Sequence, residues 1–181
     1  MIKKEQILRG NVCLEVLKGD IVAQADMDVI VNAANAFLRV GGGVAGAIHK
    51  AAGPELEKEA ITKGPIKPGQ AVITRAYNLP NKYVIHVLGP VYDRDFPHDK
   101  LLADCYRNAL KICEEHELKS IAFPAVSTGV FGYPVEEASQ VALKAIYDEI
   151  PDLKHVKRIR LVIFSDYDYD EHIDALKKLE M

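Results

Sequence analysis

Two short runs of the chain carry no polar side chain: Val29-Ile30-Val31 and Ile121-Ala122-Phe123. A strand with one face in water alternates apolar and polar residues, whereas a strand buried on both faces loses that alternation. Both runs are too short for helices and read as central strands of a covered sheet. Each leads into a stretch rich in Gly, Asn, Ser or Thr, and then into helical spacing. This succession of strand, loop and helix predicts an α/β fold with helices on both faces of a sheet.

The rest of the chain fits that frame. Val12 to Leu17 is a half-alternating, β-rich run that stops at Gly19. Residues 44–62 have helical spacing, interrupted at Gly53-Pro54. Gln70–Thr74 and Tyr83–Leu88 read as strands around the turn Asn78-Leu79-Pro80-Asn81, and their short connection suits an antiparallel pair, so the sheet is expected to be mixed. In residues 99–117, Leu101, Leu102, Tyr106, Ala109, Leu110 and Cys113 fall on one helical stripe. Residues 134–149 form a further helix, with Pro134 in its first turn and Glu136 and Glu137 near its positive end. Arg158–Phe164 is the last strand, and 168–180 an acidic-to-basic terminal helix. The 181 residues suit one domain, taken as 1–181 without internal repeat or linker. Gly89 to Pro97 reads as a flexible insertion.

Composition narrows the function. Lys and Arg number 23 against 26 Asp and Glu, a net charge of −3, so binding nucleic acid through bulk charge is not expected. The sequence run Lys154, Lys157, Arg158, Arg160 reads as the entry to a strand rather than as a basic patch. No apolar run approaches the roughly 20 residues of a membrane span, and the first residues lack a signal-peptide core. Cys13, Cys105 and Cys113 are an odd set, read as reduced thiols; on one helix Cys105 and Cys113 would lie about 12 Å apart, too far for a disulfide. Six scattered histidines form no metal-binding spacing. A cytoplasmic protein with neither metal nor cofactor is expected.

In an α/β sheet, ligands bind beyond the carboxyl ends of the strands. Gly41, Gly43 and Gly46 satisfy G-x-G-x-x-G, but eight residues separate them from Asn32 and no acidic strand end follows about 20 residues on, which argues against a dinucleotide fold. Glycines ahead of a helix still let backbone N–H groups approach an anion; alternatively they form a flexible turn and a small-residue packing face. Ser127-Thr128-Gly129-Val130-Phe131-Gly132 is a second loop of the same kind, also after a buried strand and before a helix. Two such loops on one sheet edge favour a diphosphate over two unrelated connections.

Three further positions are candidates. Asn32 and Asn35 can each tie loop backbone together or meet ribose hydroxyls, and one of the pair is assigned to each role. Asp20 is either a turn cap or, as a group that only accepts hydrogen bonds, a selector of an adenine amino group over an oxo group. Phe164, at the end of the last strand, is either core or a stacking face for a base.

Taken together, Leu17-Lys-Gly-Asp-Ile21, Val31-Asn-Ala-Ala-Asn35, Gly41-Gly-Gly-Val44 leading to Ala47-Ile48, Tyr83-Val-Ile-His-Val-Leu-Gly-Pro90 and Ile121-Ala-Phe-Pro-Ala-Val-Ser127 with Gly129 and Gly132 resemble the macro domain family. The ordered set runs from about residue 11 to 164. The resemblance implies a three-layer α/β/α sandwich with a central mixed sheet that binds ADP-ribose, free or on modified proteins. It implies that Asp20 takes the adenine amino group beside the Ile21 backbone, and that Phe164 stacks on adenine. Gly42, Gly43 and Val44 with Ser127, Thr128, Gly129, Val130 and Phe131 would wrap the diphosphate and distal ribose, and Asn35 would contact that ribose. Asn32 is carried as a further ligand-binding candidate and Asn35 as the catalytic one. Family members include binders of ADP-ribose on proteins and hydrolases of ADP-ribosyl esters, O-acetyl-ADP-ribose or ADP-ribose-1″-phosphate. In one hydrolase branch, similar over Gln70 to Pro90, Gly-Gly-Gly-Val is followed by Asp; here it is Ala45, which neither acts as a base nor orients water. The expectation is therefore ADP-ribose binding with weak ester hydrolysis, the ligand's own phosphate orienting water near Asn35. The alternatives are a reader of ADP-ribose or poly(ADP-ribose), or a poly(A)-binding protein.

Overall fold

A computed structural model describes residues 2–181. In chain order the elements are β1 (Lys4–Arg9), β2 (Val12–Lys18), β3 (Val29–Ala33), α1 (Gly43–Ala52), α2 (Glu55–Ile61), β4 (Ala71–Arg75), β5 (Tyr83–Val87), α3 (His98–Glu115), β6 (Ser120–Phe123), α4 (Val135–Glu149), β7 (Arg158–Ile163) and α5 (Asp166–Lys178). The seven strands form one sheet in the order β1-β2-β7-β6-β3-β5-β4. The five inner strands are parallel, and each edge strand pairs antiparallel with its neighbour. The sheet is mixed, as the short link between β4 and β5 predicts.

Alternation along the strands builds two cores. Val29 and Val31 of β3, Ile85 and Val87 of β5, Ile121 and Phe123 of β6, and Ile159 and Leu161 of β7 pack with α3, α4 and α5. Their neighbours Ile30, Val84, Ala122 and Val162 pack with Ile48 and Ala52 of α1 and Leu56 of α2. Helices thus cover both faces of the sheet, giving three layers. Central β3 and β6 lack polar alternation because both their faces are buried.

The sequence reading assigns no element before Val12. Lys4–Arg9 is nevertheless a strand, its residues mostly exposed, so no apolar periodicity marks it. It is held by backbone pairing in a hairpin with β2 across Gly10, whose φ of +60° suits glycine. The Gly89–Pro97 segment is tethered, contrary to its reading as a flexible insertion. The Asp95 carboxylate accepts from Val91 N–H at 2.8 Å, and Tyr92 N–H donates to Phe131 O at 2.9 Å. The Tyr92 ring packs on His98 and Tyr133, with centroids 4.3 and 4.9 Å away.

Candidate active site

Because β2, β7, β6, β3 and β5 are parallel, their carboxyl ends share one rim. In sheet order that rim carries Asp20, Phe164, the loop after Phe123, the loop after Ala33, and Gly89. The sheet opens at one place. β3 pairs with β6 only through Val29–Ile121 and Ile30–Ala122, and beyond these Val31–Ala33 stay with β5 while Phe123 stays with β7. β3 then leads to α1 on one face and β6 to α4 on the other, which is where a ligand crevice forms in an open α/β sheet.

A cavity of about 430 Å3 lies at this split, walled by Ala33–Asn35, Gly41–Ala45, Gly89, Ala125–Ser127 and Gly129–Phe131. None of these residues has an ionisable side chain. The polar character of the wall comes largely from backbone. Helix α1 begins at the cavity with neither a side-chain cap nor an acidic residue in its first turn, and its first N–H groups find no acceptor among the described residues. Across the cavity, no N–H from Ser127 to Phe131 finds an acceptor among the described residues. Two runs of free donors, one reinforced by a helix dipole, thus share a cavity that holds no negative charge. This arrangement suits an anion with several oxygens.

Close packing holds both runs. A Cβ at Gly46 would lie 2.6 Å from the Gly41 carbonyl oxygen, so this glycine serves the approach of loop and helix. A Cβ at Gly89 would lie 2.1 Å from Ser127 Oγ and 2.6 Å from Val126 Cγ1, so the second loop rests directly on the end of β5. Ser127 has φ of +68°, and its hydroxyl donates to Pro90 O at 2.8 Å. That hydroxyl anchors the loop, leaving backbone as the donor surface. By contrast, a Cβ at Gly42 or Gly129 would meet nothing within 4 Å.

The remaining sequence candidates separate. Asn35 lies on the cavity wall, its Nδ2 donating to Arg39 O at 2.9 Å and its Oδ1 accepting from Arg39 N–H at 3.0 Å. It therefore ties its own loop and keeps one Nδ2 hydrogen and one oxygen lone pair. Asn32 corrects the expectation that it faces a ligand. Alternation turns it onto the α1–α2 face of the sheet, where it is buried, with Nδ2 3.0 Å from His86 Nδ1 on the adjacent strand. His86 Nε2 is 2.9 Å from Thr74 Oγ1, and burial pushes the imidazole pKa down to about 3. Both ring nitrogens of the neutral imidazole are thus paired within the sheet, one with the Asn32 amide and one with the Thr74 hydroxyl.

Thr128 belongs to the second loop but not to the cavity wall. Asp20 lies on the rim at the β2 end, exposed, with Oδ1 accepting from Val22 N–H at 3.1 Å and Oδ2 unengaged among the described residues. Ile21 beside it is buried. Phe164 is 81% exposed, so it is not core. Asp20 and Phe164 end adjacent parallel strands, and three strand spacings, roughly 14 Å, separate β2 from β3. Sequence reasoning missed Ala33, Ala34, Gly89, Ala125 and Val126 on the cavity wall. Gly89 carried a signal, being a glycine directly after a strand that pairs with β3.

The two arginines of the basic run are engaged within the protein. Arg160 is buried and bidentate to Asp26, with both contacts at 2.9 Å, and Arg158 donates to Glu15 at 2.9 Å. Among the described residues no His, Cys, Asp and Glu cluster suits a metal ion, and no helix is long and apolar enough to cross a membrane.

A sequence model described as Macro domain matches residues 31–142. The O-acetyl-ADP-ribose deacetylase of Escherichia fergusonii is 51% identical over 142 residues, covering 76% of this chain and 80% of that protein. An Oceanobacillus iheyensis macrodomain solved with ADP superposes with a TM-score of 0.94 at 39% identity, covering 99% of this chain and 98% of that one. A Trypanosoma brucei macrodomain in complex with ADP-ribose gives 0.82 at 34% identity, covering 90% of this chain and 68% of that one.

Proposed function

This chain belongs to the macro domain family, and from that premise we propose that it binds ADP-ribose and slowly hydrolyses ADP-ribosyl esters such as O-acetyl-ADP-ribose. The observation that carries the reading is the pair of facing N–H runs in an uncharged cavity where β3 and β6 part. The diphosphate lies between Gly42–Val44 and Ser127–Phe131. Adenine lies toward β2 and β7, stacked on Phe164, with its amino group donating to the free oxygen of Asp20 beside Ile21. The distal ribose lies by Asn35. The order of strand ends along the rim supports this polarity, because an acceptor and an exposed aromatic ring stand together on one side of the anion cavity.

The chemistry follows from what the wall contains. Ala45, in the first turn of α1 and 5% exposed, brings no carboxylate to the cavity. Catalysis therefore rests on positioning. Asn35, held by Arg39, directs its remaining amide hydrogen to the distal ribose or to a water, and the ligand's own phosphate orients that water. The N–H runs hold the diphosphate against the attack. An uncharged wall equally suits a reader that binds without turnover. ADP-ribosylated protein side chains would be its targets, and the cytoplasm its location.

Titration calorimetry with ADP-ribose tests binding. Asp20→Ala removes a charge-assisted hydrogen bond of about 1.5–3 kcal/mol, so affinity falls about 10- to 150-fold. No saturable heat with folded protein, or an unchanged affinity in the variant, refutes the assignment. Release of acetate from O-acetyl-ADP-ribose tests hydrolysis. Turnover in wild type and its loss in Asn35→Ala support the enzyme, whereas binding without turnover selects the reader.

A further inference from the structure

The stretch between β2 and β3, which carries Asp20, is fixed from beneath by a side chain that does not reach the cavity. Gln24 is 4% exposed, and both ends of its amide are engaged. Its Nε2 donates to the main-chain carbonyl of Asp20 at 2.8 Å, and its Oε1 accepts from Arg160 Nη1 at 2.8 Å. Arg160 stands on β7, four residues before Phe164, and is locked by the bidentate pair with Asp26 and by Glu15 at 3.4 Å. Asn81 Nδ2 donates to the carbonyls of Gln24 and Met27, each at 2.8 Å, holding the far side of the segment. A continuous chain of polar contacts therefore runs from the strand that ends at Phe164, through Arg160 and Gln24, to the backbone of Asp20.

We propose that Gln24 is the positioning residue for purine selection: bridging Arg160 and the Asp20 carbonyl, it aims the free carboxylate oxygen at the amino group of an adenine stacked on Phe164. The inference rests on the assignment of Asp20 and Phe164 to adenine given above. One Asp20 oxygen is already held by Val22 N–H, so the direction of the other follows the turn. Ala23 N–H also donates to the Asp20 carbonyl, at 3.0 Å, and keeps the turn closed, but it belongs to the turn and does not tie it to the sheet. Gly19 N–H donates to Ile163 O at 2.9 Å and Asp26 holds Arg160, so the stretch is pinned to β7 on either side, and Gln24 is the side chain that joins β7 to the Asp20 carbonyl itself. Losing it leaves the aromatic platform and the anion cavity in place and frees only the acceptor that reads the six-position of the base.

The test is the ratio of affinities for ADP-ribose and for its inosine counterpart, in which an oxo group replaces the amino group. Calorimetry on wild type should show a preference of about tenfold or more for the amino form, the scale of one charge-assisted hydrogen bond. Asp20→Asn should abolish it. Gln24→Met removes both contacts at similar volume, whereas Gln24→Glu keeps an acceptor for Arg160 but cannot donate to Asp20. In both variants the ratio should fall at least about threefold while affinity for the inosine form stays within about twofold. Gln24→Glu keeps the test available if Gln24→Met does not fold. A ratio unchanged in the folded variants, or both ligands weakening in parallel, overturns the positioning role. No preference in wild type, or a preference surviving in Asp20→Asn, instead refutes the adenine assignment beneath it.

Discussion

Replacing Gly42 by Ala separates the protein's own packing from its grip on a ligand. Gly42 caps α1 with φ of −88° and ψ of −174°, a conformation open to alanine, and a Cβ there meets nothing within 4 Å. Without ligand, alanine is a poorer cap than glycine by about 1 kcal/mol, but its smaller loss of chain entropy on folding returns about 0.4–1 kcal/mol, so the net change should be about half a kcal/mol or less. With ligand, the new methyl group occupies space beside the N–H groups that hold the diphosphate. Forfeiting one charge-assisted contact there costs about 1.5–3 kcal/mol, or about 10- to 150-fold in Kd. In a thermal-shift assay at an ADP-ribose concentration of 100 times the wild-type Kd, wild type gains about 2.7 kcal/mol. The same concentration is only about 0.6 to 8 times the variant's Kd, a gain of about 0.3–1.3 kcal/mol. Midpoint shifts of roughly 5–10 °C in wild type should thus shrink to about 1–5 °C, with the unliganded midpoints nearly equal. Equal shifts would mean that the ligand does not approach this backbone, and that the free N–H groups at the start of α1 serve something else.

Other perturbations probe other parts of the construction. Gly89→Ala drives a Cβ into Ser127 and Val126, so unliganded stability should fall by about 1–3 kcal/mol, seen as a lower midpoint on heating; an unchanged midpoint would mean that the second loop does not rest on β5. Ala45→Asp places a carboxylate on the cavity wall and should speed O-acetyl-ADP-ribose hydrolysis about tenfold or more, short of the roughly hundredfold or more of a fully aligned general base; no gain would mean that no reactive water lies near the first turn of α1. For His86, burial depresses the native pKa below the ordinary 6.5 to about 3, so between those pH values the unfolded chain takes up a proton that the native chain refuses. Stability conferred by the neutral ring is therefore full above about pH 6.5 and falls on acidification, by about 2–3 kcal/mol at pH 4.5. Urea unfolding at pH 7 and 4.5 should show this loss reduced in His86→Asn, and an equal loss in the two proteins would refute it.

Local chemistry made much of this molecule legible. Val29–Val31 and Ile121–Phe123 announced central strands because burial on both faces removes the alternation of polar and apolar residues. The stripe from Leu101 to Cys113 announced α3, because its apolar side chains line one face of the helix. Asp20, Phe164 and the two glycine-bearing loops stood out because each lies beyond the carboxyl end of a strand. An exposed edge strand such as Lys4–Arg9 leaves no comparable mark, since backbone pairing holds it and its side chains are free to be polar.

What sequence alone determined was the elements from β2 onward and the residue types at their ends. Which of those ends meet was decided in three dimensions. The early parting of β3 from β6 places the cavity, and no residue in either strand encodes where its partner leaves it. Alternation across β3 turned Asn32 into the interior and onto His86, while Asn35, three residues on and past the strand, reached the cavity wall. Ser127 reads as a donor to a ligand, yet its hydroxyl is drawn to Pro90, because β5 ends beneath the loop. Hydrogen bonds between side chains far apart in sequence, such as those joining Arg160, Gln24 and Asp20, depend on directions and distances that only the packed sheet supplies.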